Sequence, residues 1–509
     1  MLFKPNIIDI RVISYYIGKI CTGWGLLMLI PFFVSILLNE YNEVINFSIG
    51  FLICVIVGYV LIFAGQFSST LSVVQGMIIV ALSWFVCMFL GAIPYFLSGH
   101  FLSYLDCCFD LMSGLATAGF SLIQDVDHAS YSLNLWRFIV PYVGGQGIIL
   151  IAVTVLIRIS GIYGMYAGEG RDEKILPNIS QTARMIWLIS ILYTSIGIIV
   201  LWIGGITVGL SPLRAFWHSF CLVVSSWSTS GFSPQSTSII YYHSFTIEII
   251  TWFVFFLGAI NFSIHYTLIT GNRKEIYENI EIRVLFACFF ILLIIILNGL
   301  RQSNNYSTLS AFFWNAVYIL GSAHTTTGHS ILYPCQFVTQ WGSLTMFALT
   351  IAMGIGGNAC STAGGIKNLR IGILVKEMIL SVTQVVLPKS AIFKPKFHHI
   401  KDILLEDKMV RATAFIIFCY LLTFAIGTLV GLWYGYPLSQ ALFESVSAAT
   451  GTGLSCGIVC PQMPSFLKIV YIIEMWMGRL EFISVFLLVG FLVAIPKESM
   501  SWCFSKKKL

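Results

Sequence analysis

Stretches of about 20 apolar residues, each long enough to span a bilayer, recur along the whole 509-residue chain. No other feature limits the fold so sharply. Only 10% of residues are charged and mean hydropathy is +0.89, where soluble domains carry roughly 25% charge. The chain therefore reads as one all-α polytopic membrane bundle. Spans are expected at 21–38, 48–65, 73–98, 137–158, 184–210, 245–270, 283–300, 341–376, 412–435 and 467–495. The first lies behind Lys4, Arg11 and Lys19, and no small-residue cleavage site follows it, so it reads as a retained helix. The formal charge of +6 belongs to the loops and does not call for nucleic acid. The 13 cysteines show no metal-ligand spacing and mostly sit in apolar runs. Cys335, Cys456 and Cys460 fall in outer loops, where pairing stays open.

Basic residues set the orientation. With the N-terminus in the cytoplasm, Lys4, Arg11, Lys19, Arg158, Arg171, Lys174, Arg184, Arg273, Lys274, Arg283, Lys367, Arg370, Lys376 and the run from Lys389 to Arg411 all fall inside, as does the C-terminus. Only Arg137, Arg214, Arg301 and Lys468 fall outside. Arg479 lies within the last span. Four outer connections each hold a half-apolar stretch too short to span, followed by a Thr/Ser-Gly cluster. This is the pattern of a re-entrant segment, which lipid tolerates only where the backbone is buried in protein or lines a cavity.

The clusters are Ser113 to Ser121, Ser225 to Ser233, Ser322 to Ser330 and Ser447 to Ser455. Aligned on the last glycine (Gly119, Gly231, Gly328, Gly453), all four have Ser six residues before it and Ser two after. Three have Thr two before it, and the fourth has Gly451 there with Thr452 one place later. The unit is an internal repeat with a period of about a hundred residues. A cation entering a narrow pore loses hydration water, and backbone carbonyls aimed at one axis can replace it. Such a backbone needs conformations that glycine adopts at little steric cost. A short helix ending at the loop adds the negative end of its dipole.

These loops resemble the selectivity-filter loops of the Trk/Ktr/HKT superfamily of potassium transporters, and the two leading spans look like its TrkH branch. Further matches are Gly144-Gly-Gln-Gly-Ile148, Gly354-Ile-Gly-Gly-Asn-Ala-Cys-Ser-Thr-Ala-Gly-Gly-Ile-Lys367 and Gly478-Arg-Leu-Glu481. The resemblance implies four membrane-pore-membrane repeats in pseudo-fourfold arrangement, at 71–160, 183–272, 281–378 and 410–497, behind an extension at 1–70. It implies potassium as the transported ion, no covalent cofactor, and a homodimer in the bacterial inner membrane. It also implies a TrkA-type cytoplasmic nucleotide-binding regulatory subunit. The filter walls it implies are Ala116, Thr117, Ala118 and Gly119; Ser228, Thr229, Ser230 and Gly231; Thr325, Thr326, Thr327 and Gly328; and Thr450, Gly451, Thr452 and Gly453. Ala116 and Ala118, and His329 after the third glycine, depart from the usual pattern. In this superfamily, Ser at the first filter glycine accompanies sodium permeability, and here Gly119 is retained. A sodium or mixed-cation transporter of the same fold is the alternative. A secondary transporter for an organic solute fits less well, because all four loops enter from one side.

The gate implied is Gly354 to Gly365. Gly354, Gly356, Gly357, Gly364 and Gly365, with Ser361 and Thr362 between, argue for unwound backbone, since each glycine weakens a helix by about 1 kcal/mol. Close helix packing through small residues is the other reading. Arg479, midway along the last span, must face a cavity or an acid. It contacts the gate or limits cation flow, or else it belongs to a structural salt bridge. Asp106, Asp110, Asp125, Asp127 and Glu444 form either a cation-concentrating mouth or a solvated rim. His324 and His329 flank the third filter as pH-sensitive or structural residues. Segment 377–411 is either a docking site for a partner or anionic lipid or an ordinary basic loop. No catalytic motif appears, so the chain does not read as an enzyme.

Overall fold

The computed structural model describes residues 6–68, 70–147, 163–170, 178–303, 308–386 and 396–505. In chain order its helices are α1 Ile7–Leu37, α2 Tyr41–Ala64, α3 Val73–Leu97, α4 Tyr104–Leu115, α5 Tyr131–Gln146, α6 Tyr163–Gly168, α7 Ile179–Thr207, α8 Pro212–Trp227, α9 Phe245–Gly258 and α10 Phe262–Ile269. They continue as α11 Glu275–Glu278, α12 Ile280–Ser303, α13 Leu309–His324, α14 Pro334–Thr339, α15 Gly342–Ile355, α16 Asn368–Val386, α17 Asp407–Trp433, α18 Leu438–Thr450, α19 Ser465–Arg479 and α20 Ile483–Ser505. An antiparallel hairpin, β1 Lys396–His399 and β2 Lys401–Leu404, lies between α16 and α17.

Among the described residues, six helices are individually long and apolar enough to cross a bilayer: α1, α2, α3, α7, α12 and α17. Their outward faces carry apolar side chains such as Leu188, Ile191, Ile199 and Ile203, each more than half exposed, as a lipid-facing surface requires. The chain is thus a polytopic, essentially all-helical membrane protein. α1 begins at Ile7, well before Cys21, because the Asp9 carboxylate accepts the Asn6 N–H at 2.8 Å and starts the helix early. The span expected at 137–158 is described as far as Gly147 and lies outside the described residues beyond it.

Three other expected spans are broken rather than straight. α9 and α10 meet at 98°, and α19 and α20 at 115°. Between α15 and α16 the chain leaves the helix for residues 356–367. Each break has a local cause. Asn261 caps α10 by accepting the Ser263 N–H at 2.8 Å. Glu481 and Phe482 both take positive φ, 51° and 69°, and turn the chain after Arg479. Gly356 and Gly365 stand at φ 73° and 81°.

One succession of elements occurs four times: a long helix, a short helix of 12–16 residues, a Gly turn and a further helix of 14–16 residues. The short helices are α4, α8, α13 and α18. Each helix that follows a turn packs on the short helix of the next unit: α5 on α8, α9 on α13, α15 on α18, and α19 back on α4. The ring therefore closes. α1 and α2 stand outside it as a helical pair against α3 and α5, where Trp136 meets Trp24 at 5.2 Å and gives its indole N–H to the Gly91 carbonyl at 3.2 Å.

Candidate functional site: four turns on one axis and the loop beneath them

Each short helix ends in the same way. The residue two before the last glycine takes a left-handed φ: 57° at Thr117, 49° at Thr229, 52° at Thr326 and 66° at Gly451. Its N–H returns to the carbonyl three residues back, at 3.0–3.1 Å in all four turns. The next N–H returns to the Ser carbonyl five residues back: Ala118 to Ser113 at 2.7 Å, Ser230 to Ser225 at 3.0 Å, Thr327 to Ser322 at 2.8 Å and Thr452 to Ser447 at 2.9 Å. This pair of bonds is a Schellman closure, which ordinarily places glycine at the left-handed position. Here three turns place a β-branched Thr there, an uncommon and strained choice. The fourth turn uses Gly451, so its threonine is not displaced. Glycine simply occupies the left-handed position.

The last glycines close the ring. Their φ values lie between 71° and 84°. A Cβ on Gly119 would lie 2.1 Å from the Ser230 carbonyl oxygen, one on Gly231 2.3 Å from that of Thr327, one on Gly328 2.0 Å from that of Thr452, and one on Gly453 1.6 Å from that of Ala118. Each glycine thus rests on the carbonyl just before the next glycine, in the order one, two, three, four and back to one. A Cβ at any of these positions would force the neighbouring carbonyl to move. The four turns meet at one axis with backbone oxygens between them, and four helix C-termini add negative partial charge there.

The walls differ behind the backbone. In three turns the side chains three and one before the last glycine face each other: Ser228 with Ser230 at 3.3 Å, Thr325 with Thr327 at 2.7 Å and Thr450 with Thr452 at 2.9 Å. In the first turn these positions are Ala116 and Ala118, both buried. The first turn and, in addition to its hydroxyl pair, the fourth are tied back by a carboxylate nine residues ahead of the glycine. Asp110 accepts the Ser121 hydroxyl at 2.6 Å and the Leu122 N–H at 3.0 Å. Glu444 accepts the Ser455 hydroxyl at 2.6 Å and the Cys456 N–H at 2.9 Å. His329 is fully buried, with Nε2 at 3.1 Å from the Ser226 hydroxyl. His324 is equally buried at the end of α13, beside Phe289.

Beyond the glycines lies a cavity of about 490 Å³, walled by Gly119, Gly231, Gly328, Gly453, Asp125 and Asp127 among others. Of the five acids expected at this mouth, only these two aspartates line it. Asp106 is buried and paired with Lys468 at 2.5 Å, Asp110 is buried 3.8 Å from Arg137, and Glu444 is buried behind its turn. Their work is structural, because a buried carboxylate must be hydrogen-bonded or paired. Cys335, Cys456 and Cys460 are all unpaired.

On the other side of the turns runs segment 354–367. It is folded loop, not close-packed helix. The Gly364 N–H donates to the Thr326 hydroxyl at 2.7 Å. A Cβ on Gly364 would lie 1.9 Å from the Thr450 carbonyl oxygen. The Thr362 hydroxyl lies 2.9 and 2.8 Å from the carbonyl oxygens of Trp227 and Gly258, which share its one proton, and 3.3 Å from the Thr229 hydroxyl. The segment thus touches the second, third and fourth turns. It also binds the α9–α10 bend, with Asn358 N–H on the Ala259 carbonyl at 3.1 Å and Phe262 N–H on the Cys360 carbonyl at 3.1 Å.

Arg479 joins this segment to the first unit. One guanidinium nitrogen donates to the Thr362 carbonyl at 2.8 Å, and the other to the Gly144 and Gly145 carbonyls at 2.9 and 3.0 Å. Arg479 closes α19 at the bend, rather than sitting midway along a straight span, and Glu481 pairs with Arg370. Two participants carried no sequence signal. Glu281 accepts the Ala359 N–H at 2.7 Å, and Glu169 lines the small cavity that Arg479 shares with Lys367 and Glu481.

A membrane-spanning helical ring built around backbone oxygens on one axis is a cation-transport architecture. The TrkH family model, described as cation transport protein, matches residues 43–501, and the chain belongs to this family. It is 31% identical over 481 residues to an uncharacterized cation transporter of Methanocaldococcus jannaschii, covering 94% of this chain and 95% of that one. It is 27% identical over 490 residues to the Trk system potassium uptake protein TrkH of Escherichia coli K12, covering 94% and 98%. The crystal structure of the potassium transporter TrkH from Vibrio parahaemolyticus aligns with a TM-score of 0.80 at 25% identity, covering 94% and 98%.

Proposed function

We propose that the chain carries potassium inward across the bacterial inner membrane, with the four turns as its selectivity filter and 354–365 as its gate. The carrying observation is the glycine ring, in which each last glycine rests on the next turn's carbonyl. Carbonyl oxygens around one axis replace the hydration shell of a cation, and the relatives named for potassium uptake favour that ion. On this reading 71–160, 183–272, 281–378 and 410–497 are the pore repeats, behind the helical pair within 1–70. Both termini face the cytoplasm, and the cavity beside Asp125 and Asp127 is the outer mouth. Segment 354–365 lies across the path below the filter, held by Thr326, Thr362 and Arg479. A homodimer and a cytoplasmic nucleotide-binding subunit of the TrkA type complete the assembly.

The test is growth of a potassium-uptake-deficient bacterium on limiting potassium, with tracer flux in proteoliposomes. The chain restores growth, and Gly119→Ser relaxes the preference for potassium over sodium. Removing residues 358–362 raises flux. A membrane-inserted chain that carries no potassium, or a shortened loop that leaves flux unchanged, contradicts the filter or the gate respectively.

A further inference from the structure

The β1–β2 hairpin is more than a turn between α16 and α17. Phe397 is buried between Ile280 of α12 and Ile373 of α16, with Leu369 and Val284 beside it. It therefore touches the helix that follows the intramembrane loop and the first turn of α12 together. Two adjacent histidines fix it there. His398 Nε2 lies 3.0 Å from the buried Glu275 carboxylate, and Nδ1 lies 2.9 Å from Asp402. His399 Nδ1 lies 3.4 Å from the Asn279 side-chain oxygen and 3.9 Å from Glu281.

Glu281 reaches the loop directly. One carboxylate oxygen accepts the Ala359 N–H at 2.7 Å, and the other accepts the Asn261 amide at 3.2 Å. Asn261 is the cap at the α9–α10 bend, to which the loop is bonded. Asn279 positions Glu281 in turn, accepting its N–H at 3.0 Å. A carboxylate with no exposed surface that accepts two donors is a strong, geometrically fixed contact.

We propose that the hairpin and the first turn of α12 form a clasp on the intramembrane loop, and that Glu281 is the positioning residue through which the hairpin holds the loop closed. This rests on the reading of 354–365 as a gate. Withdrawing the hairpin frees both attachments at once: Asn279 and Glu281 lose His399, and α16 loses the cover of Phe397. A force on the cytoplasmic face then reaches the filter's underside without any contact to the filter itself.

Cys360, next to Ala359, is a native reporter. Full-length protein in proteoliposomes is treated from the hairpin side with a charged thiol reagent, and modification is read by peptide mass at Cys360. Rubidium tracer flux is measured in parallel. Glu281→Ala is expected to raise flux about tenfold, the effect of losing one buried charge-assisted hydrogen bond from the closed state. It also speeds Cys360 modification. Glu281→Gln, which keeps an oxygen for the Ala359 N–H, falls between wild type and Glu281→Ala. Phe397→Ala lies outside the membrane, speeds Cys360 modification in the same direction, and carries the test if Glu281→Ala does not fold. Unchanged flux and unchanged Cys360 modification in a folded Glu281→Ala or Phe397→Ala protein, with faster flux after removal of 358–362, overturns the clasp and leaves the gate standing. No rise in any of them overturns both.

Discussion

At the residue scale, the two left-handed positions of each turn obey different rules. The earlier one is set mainly by backbone conformation, although a Cβ on Gly451 would also come within 2.8 Å of the Ala116 carbonyl oxygen, and the later one by space. Thr takes the earlier position in three turns at a conformational cost of about 1–2 kcal/mol. At the later position a Cβ forces the next turn's carbonyl to move, and the clash is tightest at Gly453, 1.6 Å from the Ala118 carbonyl oxygen. Gly451→Ala is therefore expected to keep measurable transport, lowered severalfold, whereas Gly453→Ala abolishes it. Tracer flux on purified, membrane-inserted protein separates the two, and equal loss in both variants contradicts the distinction. The hydroxyl pairs give a second expectation. Thr452→Val keeps the shape and removes the 2.9 Å bond to Thr450, a loss of about 1 kcal/mol. It removes one of the two hydroxyls that the first wall, with Ala116 and Ala118 at the paired positions, lacks. A drop in potassium preference with little change in thermal stability is the expected result. The last glycines were legible because their left-handed φ and the adjoining carbonyl both favour glycine there. Thr117, Thr229 and Thr326 were less so, because a β-branched residue in a left-handed cap runs against the local preference that sequence patterns report. The acids at the mouth misread for another reason. Asp110 and Asp125 look alike in sequence, and only the fold decides that one ties back a turn while the other meets water.

At the element scale, the breaks in the helices matter more than their lengths. Hydropathy marks 245–270 and 467–495 as single spans because composition does not register a bend of about 100°. The bends bring the α9–α10 corner and Arg479 to the loop at 354–367. The glycines of that loop announced unwound backbone, but its partner Glu281, the Asn261 cap and the hairpin behind them are distant in sequence and left no periodic signal. The hairpin itself carries a pH expectation. Asp402 on its own hairpin and Glu275 on α11 face His398 and hold its pKa above the usual 6.5, with Asp402 the larger cause. A raised histidine pKa stabilises the docked hairpin fully below the unfolded value, and the effect fades as pH rises through the folded one. Hydrogen exchange in 396–404, corrected for intrinsic rates, is therefore expected to quicken from pH 6 to about pH 8. His398→Gln removes that dependence. A hairpin whose protection ignores pH in the wild type contradicts the expectation. Arg479 acts between elements too. Its planar fork reaches three carbonyls on two units, and Lys cannot reproduce that geometry. Arg479→Lys is expected to raise flux through a folded protein, since the loop then loses its tie to α5.

At the scale of the whole molecule, the fourth unit must meet the first for the axis to exist. The repeats legible in the sequence do not say how that seam is sealed. α19 seals it, and three contacts do so. Lys468 pairs with Asp106 of α4 at 2.5 Å, Trp476 donates to the Ala81 carbonyl of α3 at 3.1 Å, and Trp476 meets Phe85 edge-on at 4.4 Å. Lys468 and Asp106 are both buried, with side chains 7% and 1% exposed. A buried pair contributes little against an apolar replacement of equal volume, but removing one partner strands the other charge at a cost of about 3–5 kcal/mol. Lys468→Met is therefore expected to lower the thermal midpoint sharply in detergent and to impair transport. Adding Asp106→Leu to it restores most of the loss, because no charge is then left unpaired. The double variant also bears on the ring. With the seam repaired by packing alone, the four glycines stay in register and potassium preference is unchanged. A double variant that melts like Lys468→Met alone assigns the seam to this ion pair instead of to apolar contact, and one that is stable but unselective shows that the pair sets the alignment of the fourth wall against the first.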